Sequence, residues 1–242
     1  MENENNSLHI GLKDGLPIGL GYLAVSFAFG LSAVLMGLSP LEALLISMLN
    51  VTSAGQMAGT PIIASGGSMI ELVLSQLVIN SRYSLMSVSL SQKLSDSVRL
   101  RDRLYIGFCN TDEVFAVASG KDGTVGPRYM LGLITAPIIG WCSGTLLGAI
   151  AGDVLPAILV TSLSVAMYAM FIAIIVPAAR GSLPTLLCIL AAAAASAVFY
   201  FVPAFSVIPS GFVIVIIALA VSALFALISP IPDEDDGKEV AA

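Results

Sequence analysis

The chain has 242 residues, of which 57% are hydrophobic and only 11% charged, with a mean hydropathy of +0.96. A soluble domain carries about 25% charged residues to build its polar shell, so this composition excludes one and makes lipid the surrounding solvent. The net charge of −6 gathers in two tails, at Glu2, Glu4 and Asp14 and at Asp233, Glu234, Asp235, Asp236 and Glu239; with no basic patch to neutralise phosphates, nucleic acid is excluded as a partner. Cys109, Cys142 and Cys188 lie in apolar stretches without pair spacing, and the single His9 falls in a polar stretch. These residues offer no disulfide framework, metal site or cofactor ligand.

Residues 1–14 read as a polar N-terminal tail, 15–230 as a single membrane domain, and 231–242 as an acidic C-terminal tail. Apolar segments follow at about 15–37, 41–63, 69–91, 104–119, 128–150, 154–178, 184–202 and 207–229. Seven approach the ~20 residues that a transmembrane helix needs. The exception, 104–119, is short and carries Asn110, Asp112 and Glu113; such a piece is tolerated at membrane depth only under protein or beside water. The expected fold is therefore all-α, a polytopic membrane helical bundle of about seven spans plus one partial or re-entrant helix.

Lys93, Arg99, Arg101 and Arg103 crowd the 92–103 loop, and positive loops face the cytoplasm. Three preceding spans put the N-terminus outside. The alternative makes one of the first three segments re-entrant and brings the N-terminus inside. Gly30, Gly37, Pro40, Pro61 and Gly67-Ser68 recur as Gly144, Gly152, Pro156, Pro177 and Gly181-Ser182. This pattern makes 15–119 and 128–229 candidate repeats, inverted if three crossings separate them. Gly11, Gly15 and Gly19, and Gly140, Gly144, Gly148 and Gly152, are four residues apart, the spacing of close helix packing within a subunit or between subunits.

Arg82 is the residue most in need of explanation. It lies 11 residues before Lys93, about 16 Å along a helix, and a charge at mid-membrane costs at least ~2.5–3.5 kcal/mol. It must pair with Asp112 or Glu113, seat a substrate anion, or serve as a gate. Asn80 lies about 160° from it around the helix, while Gln76 and Ser84 extend polarity along Asn80's neighbourhood. The second segment, Asn50-Val51-Thr52-Ser53-Ala54-Gly55-Gln56-Met57-Ala58-Gly59-Thr60-Pro61, holds polar groups, glycines and a proline in a span. Either it is unwound around Gly55 and Gly59, offering backbone groups to a ligand, or it is a kinked continuous helix. Ser53 and Gln56 point to similar sides. Asp112 and Glu113 suit proton coupling, substrate handling or simple charge pairing.

Gly15-Leu16-Pro17 through Phe27-Ala28-Phe29-Gly30, Ser53-Ala54-Gly55-Gln56, Asn80-Ser81-Arg82-Tyr83, Thr111-Asp112-Glu113-Val114-Phe115 and Ala169-Met170-Phe171-Ile172 resemble, in this order, the AzlC family of branched-chain amino-acid exporters. The resemblance covers about residues 11–230. It implies a multi-pass large subunit in the cell (cytoplasmic) membrane that works with a small AzlD-type membrane subunit on hydrophobic amino acids. Two departures from the family pattern, Tyr83 where His is common and Ser164 where an acid is common, remove titratable groups and with them a histidine-based proton relay. An amphoteric substrate would need a cation such as Arg82, acceptors such as Asp112 and Glu113, and an apolar pocket, with Asn80, Ser53, Gln56 and Asn50 as further binding or gating candidates. The competing readings are a carrier of another small organic anion or amino acid, for which Arg82 could suffice, and a non-transport membrane subunit. A membrane-embedded enzyme would need a nucleophile–base pair or metal ligands at depth, for which the lone His9 is a poor source.

Overall fold

A computed structural model describes residues 6–154, 172, 176, 179–180, 182–205 and 207–229. Their regular elements are helices, and they fall in two units divided after Met170. The first unit holds α1 (Leu8–Leu35), α2 (Pro40–Leu49), α3 (Ser53–Ala64), α4 (Met69–Lys93), α5 (Leu100–Phe108), α6 (Asp112–Ser119) and α7 (Pro127–Val154). The second holds α8 (Leu183–Phe201) and α9 (Ser210–Ile228), which pack on each other across a short connection containing the 3₁₀ turn Pro203–Phe205. Among the described residues four helices, α1, α7, α8 and α9, are both long and apolar enough to cross a membrane. At 25 residues α4 is also long enough, but it is more polar. Helix α1 starts at Leu8, so His9 and Asp14 belong to a helix and not to a tail. The 154–178 segment lies almost wholly outside the described residues.

Helices α1 and α7 run parallel in close contact. Along them Gly11 meets Tyr129 and Leu133, Gly19 meets Ala136 and Gly140, Gly30 meets Thr145, and Gly148 meets Phe27. In lipid there is no hydrophobic drive between helices, so association rests on such backbone-to-backbone approach. The glycine series therefore does its work inside one chain.

Contacts at the helix ends fix the path of the rest. Asn6 Oδ1 accepts from the Arg128 N–H (2.9 Å), the Val125 N–H donates to the Lys93 carbonyl (2.9 Å), and Lys121 pairs with Asp14 (2.8 Å). The start of α1, the end of α4 and the start of α7 thus share one end of the unit. That end carries Lys13, Lys93, Arg99, Arg101, Arg103, Lys121 and Arg128, all the first unit's described Lys and Arg except Arg82. The positive-inside rule makes it the expected cytoplasmic end, and it is called so below.

Helix α3 runs antiparallel to α4, with Gly55 beside Gln76 and Asn80, Gly59 beside Leu72, and Gly67 beside Ile62. Both the start of α2 and the end of α3 therefore lie at the outer end. The 41–63 segment does not cross. It is a re-entrant hairpin, the alternative that the sequence left open, and the start of α1 accordingly lies at the basic end. The second hairpin, α5 and α6, enters and leaves at the cytoplasmic end and is itself broken at 109–111.

The breaks have local causes. Thr52 N-caps α3 by accepting from the Gly55 N–H (3.4 Å), and Thr111 caps α6 by accepting from the Val114 N–H (3.4 Å). Each satisfies one of the donors a helix start leaves orphaned. Gly55, Gly59 and Pro61 lie inside a regular α3, so the expected unwinding occurs at 50–52, upstream of the glycines. Glu42 accepts from the Ser39 N–H (2.7 Å) at the entry of the first hairpin, and Asp102 from the Arg99 N–H (2.9 Å) at the entry of the second. Ser39, Glu42 and Asn50 have their structural counterparts 60 residues on, at Arg99, Asp102 and Asn110. Helix plus outer hairpin, α1–α3, is thus repeated upside down as α4–α6. The repeat expected at Gly30 and Gly144 is not an inverted one, because α1 and α7 are parallel; its matches at Pro156, Pro177 and Gly181 lie outside the described residues.

Once the native cysteines are replaced, Met36→Cys and Ser65→Cys should both react with an impermeant thiol reagent on intact cells, while Ser97→Cys should react only after permeabilisation. A Met36→Cys that stays unlabelled until permeabilisation would restore a crossing second segment. Gly148→Ala sets a Cβ against the Phe27 backbone, which cannot rotate away. It should lower thermal stability by about 1–3 kcal/mol, the usual cost of overpacking, measured as a lower melting point in detergent.

Candidate functional site

The two hairpin tips meet the same stretch of α4 from opposite ends. Asn50 Nδ2 donates to Gln76 Oε1 (3.2 Å), the Thr52 hydroxyl to Asn80 Oδ1 (3.0 Å), and Asn80 Nδ2 to Gln76 Oε1 (3.2 Å). Gln76 Nε2 then donates to the Gly55 carbonyl (2.9 Å). From the cytoplasmic hairpin, Asp112 pairs with Arg82 at 2.7 Å and Asn110 Nδ2 donates to the Ser87 hydroxyl (3.3 Å). Gln76, Asn80, Tyr83 and Ser87 follow at helical spacing, so one face of α4 serves both tips.

Arg82 stands 13 residues from Met69 and 11 from Lys93, about 20 and 16 Å from the two ends of α4. One guanidinium arm, Nη1, meets Asp112; the other, Nη2, donates to the Tyr83 hydroxyl (3.2 Å), whose ring the guanidinium also covers at 4.9 Å from the centroid. The Tyr83 hydroxyl donates onward to Thr52 Oγ1 (3.3 Å). The side chains of Arg82 and Asp112 are 47% and 45% exposed. A half-open charge pair at this depth needs water, substrate or protein beside it, not lipid.

Of the candidates from the sequence, Arg82, Asn80, Asn50, Ser53 and Asp112 converge here, with half-buried Ser53 as the first residue of α3. Glu113 accepts from the Tyr22 hydroxyl of α1 instead of from Arg82. Gln56 belongs to a separate network. It is 1% exposed, with Oε1 accepting from Trp141 Nε1 (2.9 Å) and Nε2 donating to Ser47 (2.8 Å), which bonds Thr145 (2.6 Å). These bonds tie both limbs of the outer hairpin to α7, a packing duty that keeps a buried amide satisfied. Sequence reasoning passed over Tyr22, Tyr83 and Thr52 as site residues. Thr52 carried a readable signal, a Thr preceding Ser-Ala-Gly in the manner of an N-cap. Tyr22 carried none, because its partner lies 91 residues away.

The AzlC protein family matches residues 17–155, which takes in α1 from Pro17 onward, α2 to α7 and both hairpins. The chain belongs to the AzlC family. It is 33% identical over 147 residues to the inner membrane protein YgaZ of Escherichia coli, covering 59% of this chain and 60% of YgaZ. The match thus spans less than two thirds of that relative. An uncharacterized membrane protein of Archaeoglobus fulgidus is 31% identical over 173 residues, 71% of this chain and 75% of its own length. No solved structure matches. The AzlC match ends near the close of α7, so the site described above falls wholly within the family's span.

Gln56→Leu should strand the Trp141 and Ser47 groups. Leaving a buried donor or acceptor unpaired costs about 1–3 kcal/mol, so the variant should melt well below the parent; an unchanged melting point would show the network to be dispensable.

Proposed function

We propose that the chain is the large subunit of a two-component exporter of branched-chain amino acids in the cell membrane, partnered by a small AzlD-type subunit. The observation that carries this reading is the half-exposed Arg82–Asp112 pair, set at mid-depth between two hairpin tips that enter from opposite sides. A zwitterionic substrate can replace each partner of such a pair. Its carboxylate takes Arg82, helped by the N-terminal end of α3 at Ser53, where the helix dipole favours an anion. Its ammonium, or a coupled proton, goes to Asp112 and Glu113. Asn50 and Asn80 line the outer tip, and the Ala-, Leu- and Met-rich interior of the chain would receive the aliphatic side chain. Membership of the AzlC family supports a transport role, and the inner-membrane relative supports a membrane setting.

The test is efflux of radiolabelled leucine, isoleucine and valine from cells making the chain with its small partner. Arg82→Met with Asp112→Asn removes both charges together, a change that a merely structural pair often tolerates. The double variant should fold and reach the membrane yet export nothing above background. Arg82→Lys should also be impaired, because an ammonium does not reproduce the two-pronged guanidinium contact. A well-expressed double variant exporting at the parental rate would reduce Arg82 to a structural charge.

A further inference from the structure

Arg82 is bonded in two directions, and the two directions lead to different hairpins. Nη1 holds Asp112, the first residue of α6 on the cytoplasmic hairpin (2.7 Å). Nη2 holds the Tyr83 hydroxyl (3.2 Å), which holds Thr52 Oγ1 (3.3 Å), the cap of α3 on the outer hairpin. We propose that Arg82 and Tyr83 form a two-armed clasp in which each arm closes one re-entrant hairpin against α4, so that each hairpin is the gate of the side from which it enters. Tyr83 is a positioning residue here: it holds the second arm by stacking and relays it by its hydroxyl.

Three features carry the assignment. The hairpins open at opposite ends, so a tip that leaves α4 exposes the centre to one side only. Their tips are non-helical, three residues long in each case, at 50–52 and 109–111; such breaks are where backbone dihedrals change most cheaply. The two attachments are also chemically distinct. The cytoplasmic arm is an ion pair, while the outer arm is a relay through neutral hydroxyls, so each can be cut without cutting the other. Because the guanidinium is shared, a substrate carboxylate that draws Arg82 away loosens one arm or the other according to the direction in which it moves. This inference rests on the transport reading for its purpose, but it can be tested without any substrate.

The chain supplies one reporter. Cys109 lies at the cytoplasmic tip and is 9% exposed; Val51→Cys places a second at the outer tip, in a protein whose Cys142 and Cys188 have been replaced by Ala. In sealed vesicles of known orientation, Asp112→Asn should raise the rate of Cys109 modification from the cytoplasmic face about tenfold, a change in opening free energy of about 1.4 kcal/mol. Reactivity of the Val51→Cys reporter from the outer face should stay as in the parent. Tyr83→Phe, which keeps the ring and loses the relay, should do the reverse, with a gain of about three- to tenfold as befits a neutral hydrogen bond. Arg82→Lys keeps the charge for Asp112 but lacks the second arm, and should behave like Tyr83→Phe. Each variant is scored if it is still folded at the assay temperature and keeps the parent's oligomer profile, and the three together guard against one that fails to fold. Equal gains from both faces in any folded variant, or no gain in Asp112→Asn and Tyr83→Phe alike, would overturn the clasp. Unimpaired export by Arg82→Lys with the side-specific pattern intact would instead count against the substrate reading and leave the clasp standing.

Discussion

A guanidinium halfway through a membrane is the constraint around which the first unit is arranged. Unpaired, Arg82 would be among the costliest placements a helix can make. Its counter-charge comes from a chain that does not cross. Asp112 reaches it because α5 and α6 bring a helix start to mid-depth, and a helix start at that depth is possible only where its orphaned N–H groups are capped. Thr111 provides one such cap, and Thr52 does the same for the hairpin arriving from the other side. The parallel α1 and α7, pressed together at their glycines, supply the rigid wall on which both hairpins rest. Around Cys109, Val114, Tyr129 and Leu133 an apolar cluster seats the cytoplasmic hairpin, and around Ala33, Ala43 and Ala149 a smaller one seats the outer hairpin.

The same arrangement explains why neighbouring polar residues have unlike duties. Gln56 faces α7 and is fully engaged by Trp141 and Ser47, so its amide acts as an internal rivet. Asn80 and Gln76 face the tip of the outer hairpin, where they exchange bonds with residues that are not helical. Tyr83, between them and Arg82, joins the neutral network to the charged one.

Much of this was legible in the sequence. Composition alone gives a helical membrane protein, and the depth of Arg82 follows from counting residues back to Lys93. The pairing with Asp112 was one of the alternatives the residues left open, and the glycine spacing marked the α1–α7 contact. What misled was hydropathy. The 41–63 segment has the length and apolarity of a span, yet it turns back at 50–52, because a three-residue break capped by Thr is invisible to a sliding average. Once it is a hairpin, Lys13 falls on the same side as the unit's other basic residues, Arg82 excepted, as the positive-inside rule requires. The inverted pairing of α1–α3 with α4–α6 went unread for a related reason: it rests on the Ser39/Arg99, Glu42/Asp102 and Asn50/Asn110 correspondences. One is an identity and one a pair of acids, but three scattered positions at a 60-residue offset become equivalent only when helix ends are known.

The central claim is that Arg82 and Asp112 hold each other and so hold the cytoplasmic hairpin to α4. A double-mutant cycle measures this directly, by comparing the unfolding free energy in lipid of the parent, Arg82→Met, Asp112→Asn and the double variant. Residues in one ion pair show coupling energies of roughly 0.5–3 kcal/mol, whereas independent sites add to within about 0.3–0.5 kcal/mol. The account predicts coupling of about 1 kcal/mol or more, with the double variant more stable than the sum of the single losses allows. Strict additivity would contradict it, since the two charges would then not be partners in the folded protein.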